Sequence, residues 1–230
     1  MTVIAPKGFR AAGVAAGIKS TGKRDVAVVV NDGPSAAAAA VFTSNRCIAN
    51  PVIWSKEAIA DGSISAIALN SGGANCYTGE FGYVTSRLTA ERTAELLGLA
   101  ATDVLVCSTG LIGHGDEVFR GKVLAGVEAA VAELGDDEAS GRNASEGILT
   151  TDSVEKLAVR EGDGYVIGGM AKGAGMLAPG LATMLVVITT DADLESAQLD
   201  AALRAATAVT FDRVDSDGCM STNDTVALLA

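Results

Sequence analysis

Apolar runs separated by turn residues divide this chain into short strands and a few helices. Each run is bounded by Gly, Asn, Asp, Ser or Pro, which is typical of strands. The runs predict strands at 25–30, 37–43, 51–54, 65–70, 103–109, 156–161, 164–170, 183–190 and 225–230. The run TMLVVITT at 183–190 is continuously apolar, which indicates a strand buried on both faces.

Three segments between these runs are predicted to be helical: 85–99, 117–134 and 194–210. Thr89 is a candidate N-cap for the first of them, and Gly98 is a candidate stop. The polar segment 135–147 fits either a linker between two subdomains or a short helix that starts near Ala144. Strands and helices together predict a mixed α/β protein.

Composition and charge predict a packed core and argue against two classes of partner. Hydrophobic residues make up 49% of the 230 positions, which is ample for a core. The net charge of −11 would repel a phosphate backbone or an anionic membrane. The chain shows neither a signal peptide nor 18 uninterrupted apolar residues. We therefore expect a cytoplasmic protein with no nucleic-acid or membrane partner.

The four cysteines and the single histidine give little support for a metal site. Cys47, Cys76, Cys107 and Cys219 are far apart and form no C-x-x-C pair, so no metal is expected. We interpret them as reduced thiols in the core or lining a site. His114 lies in the polar turn GLIGHGDE and is interpreted as an exposed loop residue.

The stretch GGMAKGAGMLAPGLATMLVVITT at 168–190 suggests a nucleophile that needs no histidine. Its glycines and Pro179 break regular structure, so the backbone is bent immediately before Thr183. The Thr183 hydroxyl could attack the carbonyl of Ala182 and break the chain. The new α-amine, with an ordinary pKa of about 7.7–8.0, could then act as base for that hydroxyl. A glycine-rich turn that leads into a core strand is the alternative.

Two further groups could complete an acyl-transfer site. In CSTGLIG (107–113), the Thr109 hydroxyl and the Gly110 N–H could converge on a developing oxyanion. Lys172 could pair with a substrate carboxylate or lower the pKa of a neighbouring group. For Lys172 the alternative is a surface lysine in a loop.

Seven short sequence motifs, referred to here as blocks, are spread along essentially the whole chain. They are GFRAAGVAAGIK (8–19), VFTSNRCIANPV (41–52), ALNSGGANCYTG (68–79), CSTGLIG (107–113), ILTTD (148–152), GGMAKGAGMLAPGLATML (168–185) and STNDT (221–225). In this order the blocks resemble the ornithine acetyltransferases of arginine biosynthesis, also called glutamate N-acetyltransferases, which are self-cleaving N-terminal-threonine enzymes. The pattern KGAGM-x-x-P-x-x-ATM is the most specific of the matching features.

The resemblance implies a fold, a chain division and a set of site residues. The fold would be a layered α/β sandwich in which Thr183 starts a central strand. Residues 1–182 would form an α-chain region and residues 183–230 the first part of a β-chain region, and α and β chains would assemble together. The resemblance implies cleavage between Ala182 and Thr183, Thr183 as nucleophile, Thr109 and Gly110 as oxyanion hole, and Thr150, Lys172 and Thr183 as substrate contacts.

The implied reaction is a ping-pong exchange. Thr183 would take the acetyl group from N2-acetyl-L-ornithine and pass it to L-glutamate without a metal or organic cofactor. Acetyl-CoA is an additional acetyl donor for some members of the family. Two alternatives stay open: a self-processing aminopeptidase or amidase, and an uncleaved inactive relative with a binding or assembly role.

The end of the chain carries a separate expectation. The family continues well past STNDT, whereas this chain stops inside the apolar run TVALLA. We expect the chain to be truncated and to lack the later part of the β-chain region.

Overall fold

The computed structural model describes residues 2–180 and 184–230, a mixture of strands and helices. The strands are β1 (Phe9–Val14), β2 (Val26–Asn31), β3 (Ala38–Phe42), β4 (Ala66–Gly73), β5 (Val104–Leu111), β6 (Lys156–Glu161), β7 (Val166–Lys172), β8 (Leu185–Thr190) and β9 (Thr225–Leu229). The helices are α1 (Asn50–Ala58), α2 (Gly79–Leu97), α3 (Glu117–Ala132), α4 (Glu138–Ile148) and α5 (Ser196–Val209). The mixed α/β class predicted from the sequence is confirmed.

The strands form two mixed sheets. In the first sheet the order is β1-β2-β4-β5, and only β4 and β5 are parallel to each other. In the second sheet the order is β3-β9-β8-β7-β6, and only β8 and β9 are parallel. β8 is therefore the central strand of the second sheet, and the parallel pairing places its start beside the start of β9.

The second sheet is covered on both faces, and β8 shows how. Leu185 and Val187 point into the core shared with the first sheet, while Val186 and Ile188 pack with Leu199 and other apolar residues on α5. This period-two alternation between two apolar environments explains the continuous apolar run. The strand buried on both faces and the layered α/β sandwich are both confirmed.

Four helices pack against the first sheet. α3 and α4 contact β1 and β2, and α1 and α2 contact β5. Every residue of β2 is buried. The approach of α4 to β1 is especially close, because a Cβ atom on Gly13 would lie 1.8 Å from the carbonyl oxygen of Asn143. Glycine at this position allows the helix to lie directly on the strand.

The strand predicted at 51–54 is wrong, because these residues belong to α1. Pro51 lies at the start of the helix, where its missing N–H costs nothing. The Trp54 indole nitrogen donates to the Val104 carbonyl (3.0 Å), and Ser55 exchanges hydrogen bonds with the backbone of Val106. The helix therefore uses its buried side to satisfy backbone groups of β5.

The predicted starts of α2 and α4 were also wrong. α2 begins at Gly79, and Thr89 is a buried interior residue whose hydroxyl donates to the Thr85 carbonyl, so it is not an N-cap. Gly98 does end α2, in a left-handed conformation. Most of the polar segment 135–147 is helix α4 rather than a linker, but the helix starts at Glu138, after the N-cap Asp137, and not near Ala144 as predicted. β1 was not predicted at all.

The contact between β1 and α4 gives a stability prediction. Gly13→Ala should lower the free energy of unfolding by about 1–3 kcal/mol, since the added methyl group meets helix backbone that cannot easily move. The matched control is Gly121→Ala in α3, where a Cβ has open space and alanine favours the helix by up to about 1 kcal/mol. Urea unfolding of both variants measures the difference, and equal stabilities would contradict the packing described.

Candidate active site

Lys172, the last residue of β7, is buried where the two sheets meet. Only 2% of the surface of this residue is exposed to solvent. The Nζ atom donates a hydrogen bond to Oγ1 of Thr109 on β5, at 3.2 Å. β7 and β5 belong to different sheets, so this contact brings together two residues that the sequence separates widely. The alternative of a surface lysine is excluded.

Burial and neighbouring carboxylates have opposite effects on the Lys172 ammonium group. Burial lowers the pKa of Lys172 to about 8, although Asp152 and Asp224 act to raise it. Lys156 and Lys19 lower it further. Lys172 is therefore largely protonated at neutral pH but gives up its proton far more readily than an exposed lysine.

Asp152 ties the loop after α4 to the end of β7. Its Oδ1 accepts a hydrogen bond from the Gly173 N–H at 2.8 Å and pairs with Lys156, while Oδ2 accepts a long bond from the Thr150 N–H at 3.4 Å. Burial tends to raise the pKa of Asp152, but the contacts with Lys156 and Gly173 outweigh it and hold the pKa below its usual value. Asp152 thus stays ionised beside Lys172.

Thr109, Gly110 and Thr150 line one cleft of about 1740 Å³. Gly110 has φ +127°, and a Cβ there would lie 2.5 Å from the carbonyl carbon of Gly72 on the neighbouring parallel strand. Only glycine fits both the conformation and the spacing. Two candidate oxyanion residues and one candidate substrate contact therefore share a cavity, and Lys172 reaches its wall through Thr109.

The polar residues before β9 connect both sheets at this point. The Asn223 side-chain amide donates to the carbonyls of Ala74 (2.6 Å) and Ser108 (2.9 Å), which follow β4 and lie on β5. The next residue, Asp224, is fully buried, and its Oδ1 accepts the Met184 N–H at 2.8 Å. Asn223 and Asp224 thus hold the starts of β9 and β8 against the end of β5.

Asp224 is a second buried titratable group in this region. Burial raises the pKa of Asp224 to about 6, against the opposing effects of the Met184 N–H, Ser221 and Lys172. Its second oxygen, Oδ2, is buried and makes no hydrogen bond with any described residue. A buried carboxylate oxygen without a partner is costly, so Asp224 is a candidate for a role at the site.

The predicted nucleophile and cleavage bond, Ala182 and Thr183, lie outside the described residues. The residues on either side are anchored. The Gly180 carbonyl accepts a hydrogen bond from the Ser44 hydroxyl at 3.0 Å, and the Met184 N–H is held by Asp224. The two residues that bind them, Ser44 and Asp224, lie at the edge of the second sheet where β8 and β9 begin.

Asn223, Asp224 and Asp152 were not predicted as site residues from the sequence. A usable signal existed in STNDT, because this polar run directly precedes a buried apolar strand, as Thr183 does. Recognising its meaning required knowing that β8 and β9 are parallel neighbours. Asp152 gave no such signal.

The histidine and cysteines lie mostly as expected. His114 is an exposed loop residue whose ring meets Phe119 edge-on. All four cysteines are free thiols; Cys76 and Cys107 are buried, whereas Cys47 and Cys219 are exposed and do not belong to the core.

In residues 2–180 and 184–230, no three or more His, Cys, Asp or Glu side chains are grouped to hold a metal ion. Within the same ranges, no helix is long and apolar enough to cross a membrane.

The chain is similar to known proteins along almost its whole length. Residues 10–230 match the model of the ArgJ family. The chain belongs to the ArgJ family. The Arginine biosynthesis bifunctional protein ArgJ of Thermobifida fusca is 62% identical over 230 residues, and its namesake in Streptomyces coelicolor is 60% identical. The match covers all of this chain and 59% of each relative, so the chain spans well under two thirds of their length.

Solved structures of ArgJ-family proteins share the fold. The ornithine acetyltransferase of Mycobacterium tuberculosis, solved in complex with ornithine, superimposes with a TM-score of 0.71 and 44% identity. That match covers 80% of this chain and 96% of the solved chain. The Arginine biosynthesis bifunctional protein ArgJ of Bacillus halodurans gives a TM-score of 0.68 at 28% identity, covering 80% of this chain and 95% of its own.

The glycine at position 110 gives a prediction for the cleft. Gly110→Ala should lower the free energy of unfolding by about 1–3 kcal/mol beyond the conformational cost, because its methyl group meets the backbone of Gly72. Gly113→Ala is the control: Gly113 also has positive φ but has open space around it, so it should cost only about 1 kcal/mol. Chemical denaturation measures both, and similar losses would refute the close approach of β4 and β5.

Proposed function

We propose that this chain is the first part of an acetyltransferase of arginine biosynthesis, activated by its own cleavage. The enzyme transfers the acetyl group of N2-acetyl-L-ornithine to L-glutamate through an acetyl ester on Thr183. No metal or organic cofactor takes part, and acetyl-CoA is a further candidate donor. The ArgJ family membership and the names of the relatives support the reaction class.

The observation that carries the proposal is the buried contact between Lys172 and Thr109. It places a buried cation behind a hydroxyl group that lines the cleft, and the start of β8 is tied to the same region through Asp224. Acyl transfer needs a nucleophile near groups that stabilise negative charge on the carbonyl oxygen. The described residues supply charge-stabilising groups, and the Met184 N–H, which follows Thr183 in the sequence, is bound by Asp224 in the surroundings of Lys172.

In the proposed mechanism the Thr183 hydroxyl attacks the acetyl carbonyl while its own α-amine takes the proton. The Thr109 hydroxyl and the Gly110 N–H stabilise the oxyanion. Collapse breaks the bond from the acetyl carbon to ornithine nitrogen, and the ammonium returns its proton to the departing amine. The amine of L-glutamate then attacks the ester and passes a proton to the α-amine of Thr183. The bond from the acetyl carbon to the Thr183 oxygen breaks, the α-amine returns the proton to that oxygen, and N-acetyl-L-glutamate leaves.

Lys172 and Thr150 are the proposed substrate contacts. Both substrates carry an α-carboxylate, and a lysine ammonium in a low-dielectric site attracts it strongly. The protonated state of Lys172 near neutral pH fits this role. Thr150 lies on the same cleft and is linked to the Lys172 region through Asp152.

Cleavage would divide the protein into α and β chains that stay together. Residues 1–182 are about four fifths of this chain. The two solved ArgJ-family chains each match 80% of this chain and nearly all of themselves, which supports a boundary of that kind. β8 and β9 follow the proposed boundary yet lie inside the second sheet, so the two chains would be bound by sheet pairing and a shared core. We propose a heterotetramer of paired α and β chains.

A cytoplasmic location is part of the same proposal. The free state of all four cysteines supports a reducing compartment.

Thr183→Ala tests the nucleophile in protein expressed from its complete reading frame. This variant should remain a single chain and lose acetyl transfer, because it has no hydroxyl to attack either carbonyl. Thr183→Ser, which keeps a hydroxyl, should still be cut. Intact mass spectrometry measures cleavage, and transfer from N2-acetyl-L-ornithine to L-glutamate measures activity.

The outcomes separate the open alternatives. Cleavage of Thr183→Ala at the same bond would refute the nucleophile. Hydrolysis of N2-acetyl-L-ornithine by the wild type without need of glutamate would favour an amidase, and an uncut wild type would favour an inactive relative.

Thr109→Ala tests the oxyanion role. Loss of its hydroxyl should reduce kcat for transfer by about a hundredfold or more. Thr151→Ala is the matched control, because Thr151 lines the same cleft but is exposed. Steady-state kinetics should show the control close to wild type, and an unchanged rate in Thr109→Ala would remove this residue from the site.

A further inference from the structure

Lys19, in the loop between β1 and β2, lines the same cleft as the candidate oxyanion residues. Its backbone is fixed by Asp25, which is fully buried: Oδ1 accepts the Ala16 N–H at 2.6 Å, and Oδ2 accepts the Lys19 N–H at 2.9 Å. The buried carboxylate therefore fixes the loop, and with it the place where the Lys19 side chain leaves the backbone.

The stem of Lys19 crosses the end of β4 beside a candidate oxyanion residue. A Cβ atom on Gly72 would lie 3.4 Å from Cγ of Lys19, and one on Gly110 would lie 2.5 Å from the carbonyl carbon of Gly72. The charge of Asp152 acts on Lys19, and the charge of Lys19 acts in turn on Lys172. Contacts and charges thus both place Lys19 at the part of the cleft where acetyl transfer is proposed.

The Lys19 ammonium group has capacity for a further partner. Nζ donates a hydrogen bond to the Arg24 carbonyl at 2.6 Å, and no other acceptor in the described part of the chain is bonded to it. An ammonium group has three protons to donate, so most of this capacity is unused. Burial lowers the pKa of Lys19, and the Asp25 carboxylate, which acts to raise it, does not offset this effect fully. A half-buried ammonium group of this kind gains more from a carboxylate than an exposed one does.

The other cations around the cleft are paired, exposed or behind its wall. Two arginines that line it, Arg24 and Arg142, form ion pairs with glutamates at 3.0 Å and 3.1 Å. Lys23 lines it as well but is exposed, and Lys172 is buried behind the wall. Among the described residues that line the cleft, Lys19 is therefore the half-buried cation that has no carboxylate partner.

The chemistry of the proposed reaction indicates what Lys19 binds. In N2-acetyl-L-ornithine only the nitrogen and Cα atoms separate the acetyl carbon from the α-carboxylate carbon, so these carbons lie about 3–4 Å apart. An acetyl oxygen bound at Gly110 therefore brings the carboxylate close to Gly72, which the Lys19 stem crosses. The amine of L-glutamate attacks the same acetyl carbon, so its α-carboxylate comes to the same place.

We propose that Lys19 is a substrate-binding residue whose ammonium group binds the α-carboxylate of the amino-acid substrates from within the cleft. This inference rests on the proposed function and deepens it. Lys172 supports the same negative charge from behind Thr109. No bond forms or breaks at Lys19 and no proton is transferred there, so its contribution is to binding and orientation.

Lys19→Met in the full-length enzyme is the direct test, because methionine keeps a long stem but carries no charge. KM for N2-acetyl-L-ornithine and for L-glutamate should rise by about tenfold or more, and kcat should stay within about threefold of wild type. Lys23→Met is the matched control, since Lys23 lines the same cleft but is exposed, and it should leave both constants close to wild type. Wild-type KM values in Lys19→Met, or a loss confined to kcat, would overturn the proposal.

A compound without the carboxylate separates binding from a change in the shape of the cleft. N-Acetylputrescine is N2-acetylornithine with a hydrogen atom in place of the α-carboxylate. Lys19→Met should change its kcat/KM as a donor, or its inhibition constant where it is not turned over, by less than about twofold. A loss equal to that for N2-acetyl-L-ornithine would show that Lys19 shapes the cleft and does not bind the carboxylate.

Lys19→Gln tests the role of the hydrogen bond to the Arg24 carbonyl. Glutamine keeps a donor for that carbonyl but has no charge, so this variant should lose affinity for both substrates as Lys19→Met does. Wild-type kinetics in Lys19→Gln would assign Lys19 a structural role in its loop and overturn the proposal. A wild type that is neither cut nor able to transfer acetyl would refute the proposed function instead, so the two claims fail separately.

Discussion

Burying the Lys172 ammonium between two sheets is the constraint around which this region is organised. Removing an amine from water is costly unless polar groups face it, and an apolar interior offers none. The chain brings them from three directions: the Thr109 hydroxyl from the first sheet, Asp152 from the loop after α4, and Asp224 from the start of β9. Each of these groups is itself anchored by backbone or side-chain contacts. The cation therefore fixes the relative position of the elements around the cleft.

The parallel pairing of β8 and β9 is the second requirement. Two parallel neighbours start at the same edge of a sheet, so the polar residues before β9 lie beside the chain that enters β8. Asn223 then joins this edge to the carbonyls of Ala74 and Ser108 in the other sheet. The sheet topology thus brings residues that are distant in sequence close together in space. It would also keep the proposed α and β chains together after cleavage, since backbone hydrogen bonds and a shared core do not depend on the bond between them.

Much of the fold could be predicted from local pattern, and the failures have physical reasons. The run at 185–190 alternates between two apolar environments, so its continuous hydrophobicity identified a strand correctly. The run at 51–54 looked equally strand-like, yet Pro51 starts a helix whose Trp54 and Ser55 bind backbone groups of β5. That outcome depends on a tertiary partner, which no local pattern contains. Similarly, α2 includes Thr89 as an interior residue because its hydroxyl is satisfied within the helix.

The candidate site likewise contains residues that local sequence predicts and one that it does not. Thr109, Gly110, Thr150 and Lys172 were predicted as site residues from motifs and a family resemblance, and the structure brings Thr109 and Lys172 into contact. Asp224 could not be predicted that way, because its meaning lies in geometry: one oxygen accepts the Met184 N–H, and the other is buried with no partner among the described residues. A buried carboxylate oxygen with no partner among the described residues is costly, and a small apolar residue at this position would avoid that cost. The presence of Asp224 next to the backbone of residue 184 therefore points to a role at the site rather than to packing.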